Sequence, residues 1–267
     1  LWLCNNSFAA AGTIPFSAAL DAAVIVQPSI DDVDRKALIV GNGDMNALIF
    51  SRGNELVMQV AKNDVWDARL VTDKDGPLLK VDVAKCTWEG GGNPPSWGNP
   101  YPTQTPPCVI RIPLKGAIVG TRLDVRRAVA SITTTAGTVT IRALTQANVF
   151  YIESENAISL DGFAQNFLPA AEVHHDGAGT SVKQLLPGDL DYKGMTVCAV
   201  RESKGNRHAV SVATSRTFAD PLAEARRLAT KALSEEAAAV IRMHEETWRE
   251  YWSRSGVELG DKDYQNW

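Results

Sequence analysis

The 267 residues carry 27 Lys and Arg against 31 Asp and Glu, a net charge of −4 at pH 7. That balance leaves no basic footprint for nucleic acid and no polybasic cluster for an anionic membrane surface. Hydrophobic residues at 45% and charged residues at 22% describe an ordinary globular chain, and no apolar run reaches the ~20 residues of a membrane-spanning helix.

Residues 1–30 read as a leader. Ser7-Phe8-Ala9-Ala10-Ala11-Gly12 has the small residues that close a secretory signal, which would place the protein outside the cytoplasm, secreted or periplasmic. A disordered, Ala-rich leader fits the same residues, and both readings stand. Leu1-Trp2-Leu3-Cys4 looks like a lipoprotein box only superficially, because Leu3 sits where a small residue is required.

From about Ala37 to Ser215 the pattern is β, and residues 31–217 are expected to form one domain. Ala37-Leu38-Ile39-Val40 ends at Gly41-Asn42-Gly43-Asp44, a strong turn signal. Ala47-Leu48-Ile49-Phe50, the turn Arg52-Gly53-Asn54 and Glu55 to Val60 predict a hairpin. Further strands are expected over Leu78–Val83, Cys108–Ile112, Thr121–Ala130, Gly137–Leu144, Val149–Glu153, Ala157–Leu160, Met195–Val200 and Ala209–Thr214. So many period-2 segments argue for stacked antiparallel sheets, since each sheet must bury one face. The expected fold is mainly β: a large antiparallel β-sandwich followed by a C-terminal helical linker.

That linker occupies residues 218–267. Phe218-Ala219-Asp220-Pro221 opens a helix, with Asp as cap and Pro in the first turn. Ile241, His244, Trp248 and Tyr251 fall on one stripe, and Gly256 is a natural stop. The run from His244 to Trp267 carries more large aromatics than a solvated tail tolerates. It reads as part of a longer protein, with a partner surface expected for those rings.

Three segments resemble the N-terminal region of glycoside hydrolases with an (α/α)6 barrel, most of all family 95, the α-L-fucosidase and α-L-galactosidase family. They are Leu38 to Ala47 with its Gly-Asn-Gly turn, Lys62-Asn63-Asp64-Val65-Trp66-Asp67, and the run from Phe218 through His244–Leu259 to Trp267. In the second segment the spacing is one residue shorter than the family's, and Asp67-Ala68 replaces its Ser-Gly. The resemblance implies a galactose-mutarotase-like supersandwich. It implies that the catalytic carboxyl pair lies on a barrel beyond Trp267, so no residue here is assigned catalysis. It implies two partners: that barrel, and an oligo- or polysaccharide. Asn42, Asn63, Asp64, Trp66 and Asp67 then lie near substrate or at the barrel interface. For Trp66 taken alone, filling the sandwich core is the simpler expectation. The rival to an enzyme domain is a stand-alone carbohydrate-binding or structural β module.

Other candidates have plainer readings. Gly41-Asn42-Gly43-Asp44 lacks the Lys-Ser/Thr ending and following helix of a phosphate loop. His174-His175-Asp176 reads as a solvated loop, because neighbouring side chains on a strand diverge. The loop holding Trp88 and Trp97 suits domain packing ahead of sugar stacking. Cys86 and Cys108 fit either a disulfide or two buried thiols. His244 reads as a packed histidine. No pattern calls for a metal or a cofactor.

Overall fold

The computed structural model describes residues 13–69, 81–82, 87–88, 103–164, 168–177, 179–188, 192–254 and 256. In chain order the elements are α1 (Ser17–Ala22), β1 (Ile25–Gln27), β2 (Leu38–Gly41), β3 (Met45–Arg52), β4 (Glu55–Lys62), β5 (Trp66–Asp67), β6 (Val81–Asp82), β7 (Thr87–Trp88) and β8 (Thr103–Gln104). They continue with β9 (Val109–Pro113), β10 (Ile118–Asp124), β11 (Val129–Thr134), β12 (Gly137–Ala143), β13 (Val149–Glu153) and β14 (Ser159–Asp161). The chain closes with β15 (Glu172–Asp176), β16 (Gly179–Leu186), β17 (Met195–Lys204), β18 (Arg207–Thr214), α2 (Pro221–Ser234) and α3 (Ala237–Arg254).

Among the described residues, one antiparallel sheet runs β1-β10-β11-β12-β13-β18-β17-β16-β15 and a second runs β14-β9-β4-β3-β2. The fold is therefore the expected one, a mainly β sandwich followed by helices. Alternation builds the core. Met45, Ala47 and Ile49 of β3 point inward with Leu38 and Val40 of β2, and all are buried, while Ile39 faces out. Ile132, Ile141, Phe150, Ile152, Val197 and Val210 of the large sheet meet them in one apolar cluster.

Hairpin geometry follows from two Gly-Asn pairs. Arg52 pairs with Glu55 across Gly53-Asn54, and Lys204 pairs with Arg207 across Gly205-Asn206. Both glycines adopt positive φ, 58° and 62°, as tight hairpin loops require.

The large sheet is covered on its outer face as well. Asp220 caps α2 by accepting from the Ala223 amide at 2.9 Å. Ala225, Ala229, Ala232 and Leu233 then lie on Val149, Tyr151, Val200, Ala209 and Ala213. Burial on both faces explains the unbroken apolar run Val149-Phe150-Tyr151-Ile152, all buried, because a strand with two dry faces has no polar side to alternate with.

Several sequence expectations shift. The segment Thr121–Ala130 is two strands, β10 and β11, joined through Val125–Ala128. Its polar-apolar alternation is interrupted only at Arg126-Arg127, inside the turn, too briefly for periodicity alone to divide the segment. Asp124 holds the turn by accepting from the Arg127 amide at 3.1 Å, and Ala128 takes the left-handed conformation at φ 49°. The span expected as a leader contributes α1 and an edge strand, with Ile25–Gln27 paired to Thr121–Leu123 and Ile30 fully buried. The described part of the expected helical linker consists of two helices, α2 and α3. His174-His175 lies on the edge strand β15, where both side chains are exposed; it is not a loop. Cys108 is a buried free thiol whose pKa burial pushes up; Cys86, Trp97, most of Leu78–Val83 and the run from 257 to Trp267 lie outside the described residues.

Because Ala229 is fully buried on the sheet-facing side of α2, Ala229→Leu should overpack the helix–sheet interface and cost about 1–3 kcal/mol. Ala128→Gly should stabilise by a few tenths to about 1 kcal/mol by relieving the positive φ. Urea denaturation of both variants checks the two opposite signs.

Candidate functional site

The Gly-Asn-Gly-Asp turn and the segment Lys62–Asp67, about twenty residues apart in sequence, meet at one pole of the sandwich. Asn42 organises the turn locally: its Oδ1 accepts from the amides of Asp44 at 3.1 Å and Met45 at 2.9 Å. Gly43 takes φ 94°, which an Asn-Gly turn of this kind needs. The Asn42 Nδ2 then crosses to the other sheet, donating to the carbonyls of Leu144 at 3.0 Å and Ala147 at 3.2 Å and to Asn148 Oδ1 at 3.2 Å.

At the end of β4, Lys62 is only 7% exposed at its side chain and lies between two carboxylates. Its Nζ is 2.9 Å from Asp44 Oδ2 and 2.7 Å from Asp64 Oδ1. Both carboxylates accept further bonds: Asn148 Nδ2 donates to Asp44 Oδ2 at 2.6 Å, the oxygen that also faces the lysine, and the Thr214 hydroxyl donates to the far oxygen of Asp64, Oδ2, at 2.7 Å. Asn148 belongs to the β12–β13 connection and Thr214 to β18. The cluster therefore pins the small sheet to the large one with charge-assisted bonds. Burial alone would raise the Asp64 pKa; the Lys62 and Thr214 hydrogen bonds and the lysine charge outweigh it and hold the carboxyl below its ordinary value.

Asn63 and Asp64 form a turn, as one reading of the sequence has it. Asn63 Nδ2 donates to the Gly43 carbonyl at 2.8 Å, and its amide donates to the Asp44 carbonyl at 2.9 Å. The turn aims Trp66 outward. Trp66 is 43% exposed, so it does not fill the sandwich core. The reason is local: β5 pairs only with β8, in a ribbon outside both sheets, and the indole Nε1 donates to the Asn63 carbonyl at 2.8 Å. Tyr192 comes beside it, its hydroxyl donating to the Trp66 carbonyl at 3.3 Å, with the Arg216 guanidinium 4.8 Å from the Tyr192 ring centre. Asp67 is buried and forked by Arg69 at 2.9 and 2.8 Å.

All five candidate residues thus share this pole, in different roles. Asn42, Asn63 and Asp64 are tied into turns and the inter-sheet cluster, Asp67 is paired with its arginine, and Trp66 is exposed among the described residues. Sequence reading did not single out Lys62, Asn148, Thr214 or Tyr192. Lys62 alone had a local signal, a lysine ending an otherwise apolar strand.

His244 is packed, as its stripe implies. Its Nε2 donates to the Arg127 carbonyl at 2.9 Å, and burial lowers its pKa against the opposing pull of the Arg127 and Ala128 carbonyls. Among the described residues no group of three or more His, Cys, Asp or Glu is placed to hold a metal ion, and no helix is long and apolar enough to cross a membrane. Neither a scan against protein-family models nor a search of curated proteins finds a match for this chain.

Removing the lysine strands two carboxylates, so Lys62→Met should cost about 2–3 kcal/mol, less than a fully buried pair because Asp44 is half exposed. Urea denaturation at neutral pH measures it; a loss within the ~0.5 kcal/mol of a surface change would show that the cluster does not hold the sheets. The Asp64 carboxyl titrates lower folded than unfolded, so its contribution is full above the unfolded value of 3.8 and vanishes as pH falls through the lower folded one. Asp64→Asn should lack this component, giving a flatter stability profile below about pH 4 than the wild type.

Proposed function

We propose that this chain is the non-catalytic β-sandwich domain of an exported glycan-hydrolysing enzyme of the (α/α)6-barrel kind, fucosidase-like, in which it shapes the substrate pocket and braces the barrel. The observation that carries this reading is Trp66, held outward by Asn63 beside Tyr192 at a pole whose carboxylates are already committed. An exposed indole on a rigid turn suits stacking on a sugar ring or on an adjoining domain.

The carboxylates favour a supporting role over a chemical one. Glycoside hydrolysis needs two carboxyl groups flanking the bond, one of them protonated near neutral pH. Asp64 is biased the opposite way by Lys62 and Thr214, and Asp67 is spent on Arg69. Helix α3 supplies the second support. Trp248, Tyr251 and Trp252 pack their rings 4.9–6.1 Å apart. Tyr251 is 53% exposed, and the Nε1 atoms of Trp248 and Trp252 are buried without a partner among the described residues. An aromatic helix face of this kind suits docking of a helical barrel.

The test is hydrolysis of a panel of aryl glycosides, fucosides and galactosides included. The chain alone should show no turnover, and a longer protein carrying the barrel should hydrolyse one of them, with Trp66→Ala lowering its kcat/KM about tenfold. Turnover by the chain alone that Asp64→Asn abolishes would place the chemistry on this domain and overturn the proposal. Glycan binding by the chain, with no hydrolysis by the longer protein, would favour a stand-alone carbohydrate-binding module. Light scattering gives an independent check: with the α3 face uncovered, the chain should self-associate above its 28.9 kDa monomer mass, and truncation after Ser234 should restore the monomer.

A further inference from the structure

The opposite pole of the sandwich holds a charge that no carboxylate among the described residues meets in an ion pair. Strand β17 starts beside the Lys62 cluster, where the Ser215 amide donates to the Thr196 carbonyl at 2.9 Å, and runs away from it to the β17–β18 hairpin. There Arg201 projects among hydroxyl groups. Its Nη1 donates to Ser203 Oγ at 3.0 Å and its Nη2 to Thr180 Oγ1 at 2.7 Å. No carboxylate among the described residues forms an ion pair with it, and its Nε is buried without an acceptor. Burial lowers the Arg201 pKa, against the smaller effect of the neighbouring Glu202; the glutamate carboxylate lies instead against the Gly179 turn.

The neighbours of Arg201 are fixed by a chain of donors. The Ser154 carbonyl can only accept, so the His208 Nε2 at 3.3 Å must carry a proton toward it. His208 Nδ1 is then the acceptor in its 2.8 Å contact with Ser203 Oγ, which leaves the serine lone pairs for Arg201. His208 is 5% exposed, and burial is the main cause of its lowered pKa, so it stays neutral. The guanidinium thus spends two of its five N–H donors on neutral hydroxyls. Each Nη keeps one N–H without a partner among the described residues. A partly desolvated cation without a counter-charge is unfavourable, and a guanidinium fork fits an oxyanion in two places.

These groups line an open cavity of about 400 Å³ between the β17–β18 hairpin, the β13–β14 turn and the β15–β16 turn. Asn206 and Glu155 stand on its rim, linked by a 3.1 Å bond from Asn206 Nδ2 to Glu155 Oε1. We propose that this cavity is a binding site for a small oxyanion, with Arg201 as its counter-charge. The oxyanion group belongs either to the carboxylate of an acidic monosaccharide or to a free inorganic anion such as sulfate. Glu155 is the one carboxylate of the lining among the described residues; it admits a ligand whose hydroxyls can donate to it and weakens one that cannot. The site is distant from the Trp66 pole and does not depend on the function proposed there.

Calorimetric titration at fixed ionic strength tests it, with sodium glucuronate, sodium sulfate, sodium chloride and glucose as the probes. Glucuronate or sulfate should bind where chloride and glucose do not; tighter binding of glucuronate identifies the sugar acid, and binding of sulfate alone identifies the free anion. Arg201→Gln should weaken binding about tenfold. Glu155→Gln, an exposed change that leaves the fold intact, should tighten it about threefold by removing the like charge. The proposal fails if none of the four probes gives a heat of binding. It also fails if both variants bind as the wild type does, or if glucose matches glucuronate.

Discussion

A buried ammonium must have its counter-charges held in place, and one pole of this sandwich is arranged around that requirement. Lys62 ends the central strand of the small sheet with almost no access to water. The desolvation cost of such a charge is recovered only when every partner is oriented and its remaining lone pairs are filled. Asp44 and Asp64 are the partners, and Asn148 and Thr214 from the other sheet fill what is left. The same bonds fix the Asn42 turn, the Asn63 turn and, through Asn63, the direction of Trp66. The outward indole is therefore a consequence of a satisfied charge below it.

The apolar core works by a different rule and sets a different constraint. Two sheets bury their facing sides, and α2 then seals the outside of β13, β17 and β18 with small residues, Ala225, Ala229 and Ala232. Alanines let the helix lie close to the strands. With the outer face dry at these strands, polar groups are pushed to the two ends of the sandwich. The Lys62 cluster and the Arg201 cavity occupy those ends, and they differ in how they are balanced. One carries its own carboxylates; the other carries hydroxyls and a neutral imidazole.

Turns and strand faces were open to sequence reading. Gly53-Asn54 and Gly205-Asn206 demand hairpins by their backbone freedom, and the alternation of Met45, Ala47 and Ile49 names its buried face. Asp220-Pro221 marks a helix start that needs no tertiary help. Where a bend fell inside an alternating stretch, as from Thr121 to Ala130, only the adjacent Arg126 and Arg127 interrupt the period while the chain reverses, too brief a break to divide two strands. Strand β15 escaped for the opposite reason. Exposed edge residues such as Glu172, His174 and His175 carry no apolar signal, and pairing alone makes them a strand.

The sequence by itself thus determined what depends on neighbours a few residues away: the tight turns, the helix cap, the faces of the alternating strands and the grouping of Asn42 with the Lys62–Asp67 segment as a region of interest. Only the tertiary structure decided which charges are compensated. Asp64 finds Thr214 at a separation of 150 residues, and Arg201 finds hydroxyls where an acid was equally available to the chain in composition. Coulomb and hydrogen-bond energies depend on distance and on exclusion of water, and both are set by how the sheets stack and by what the helices cover.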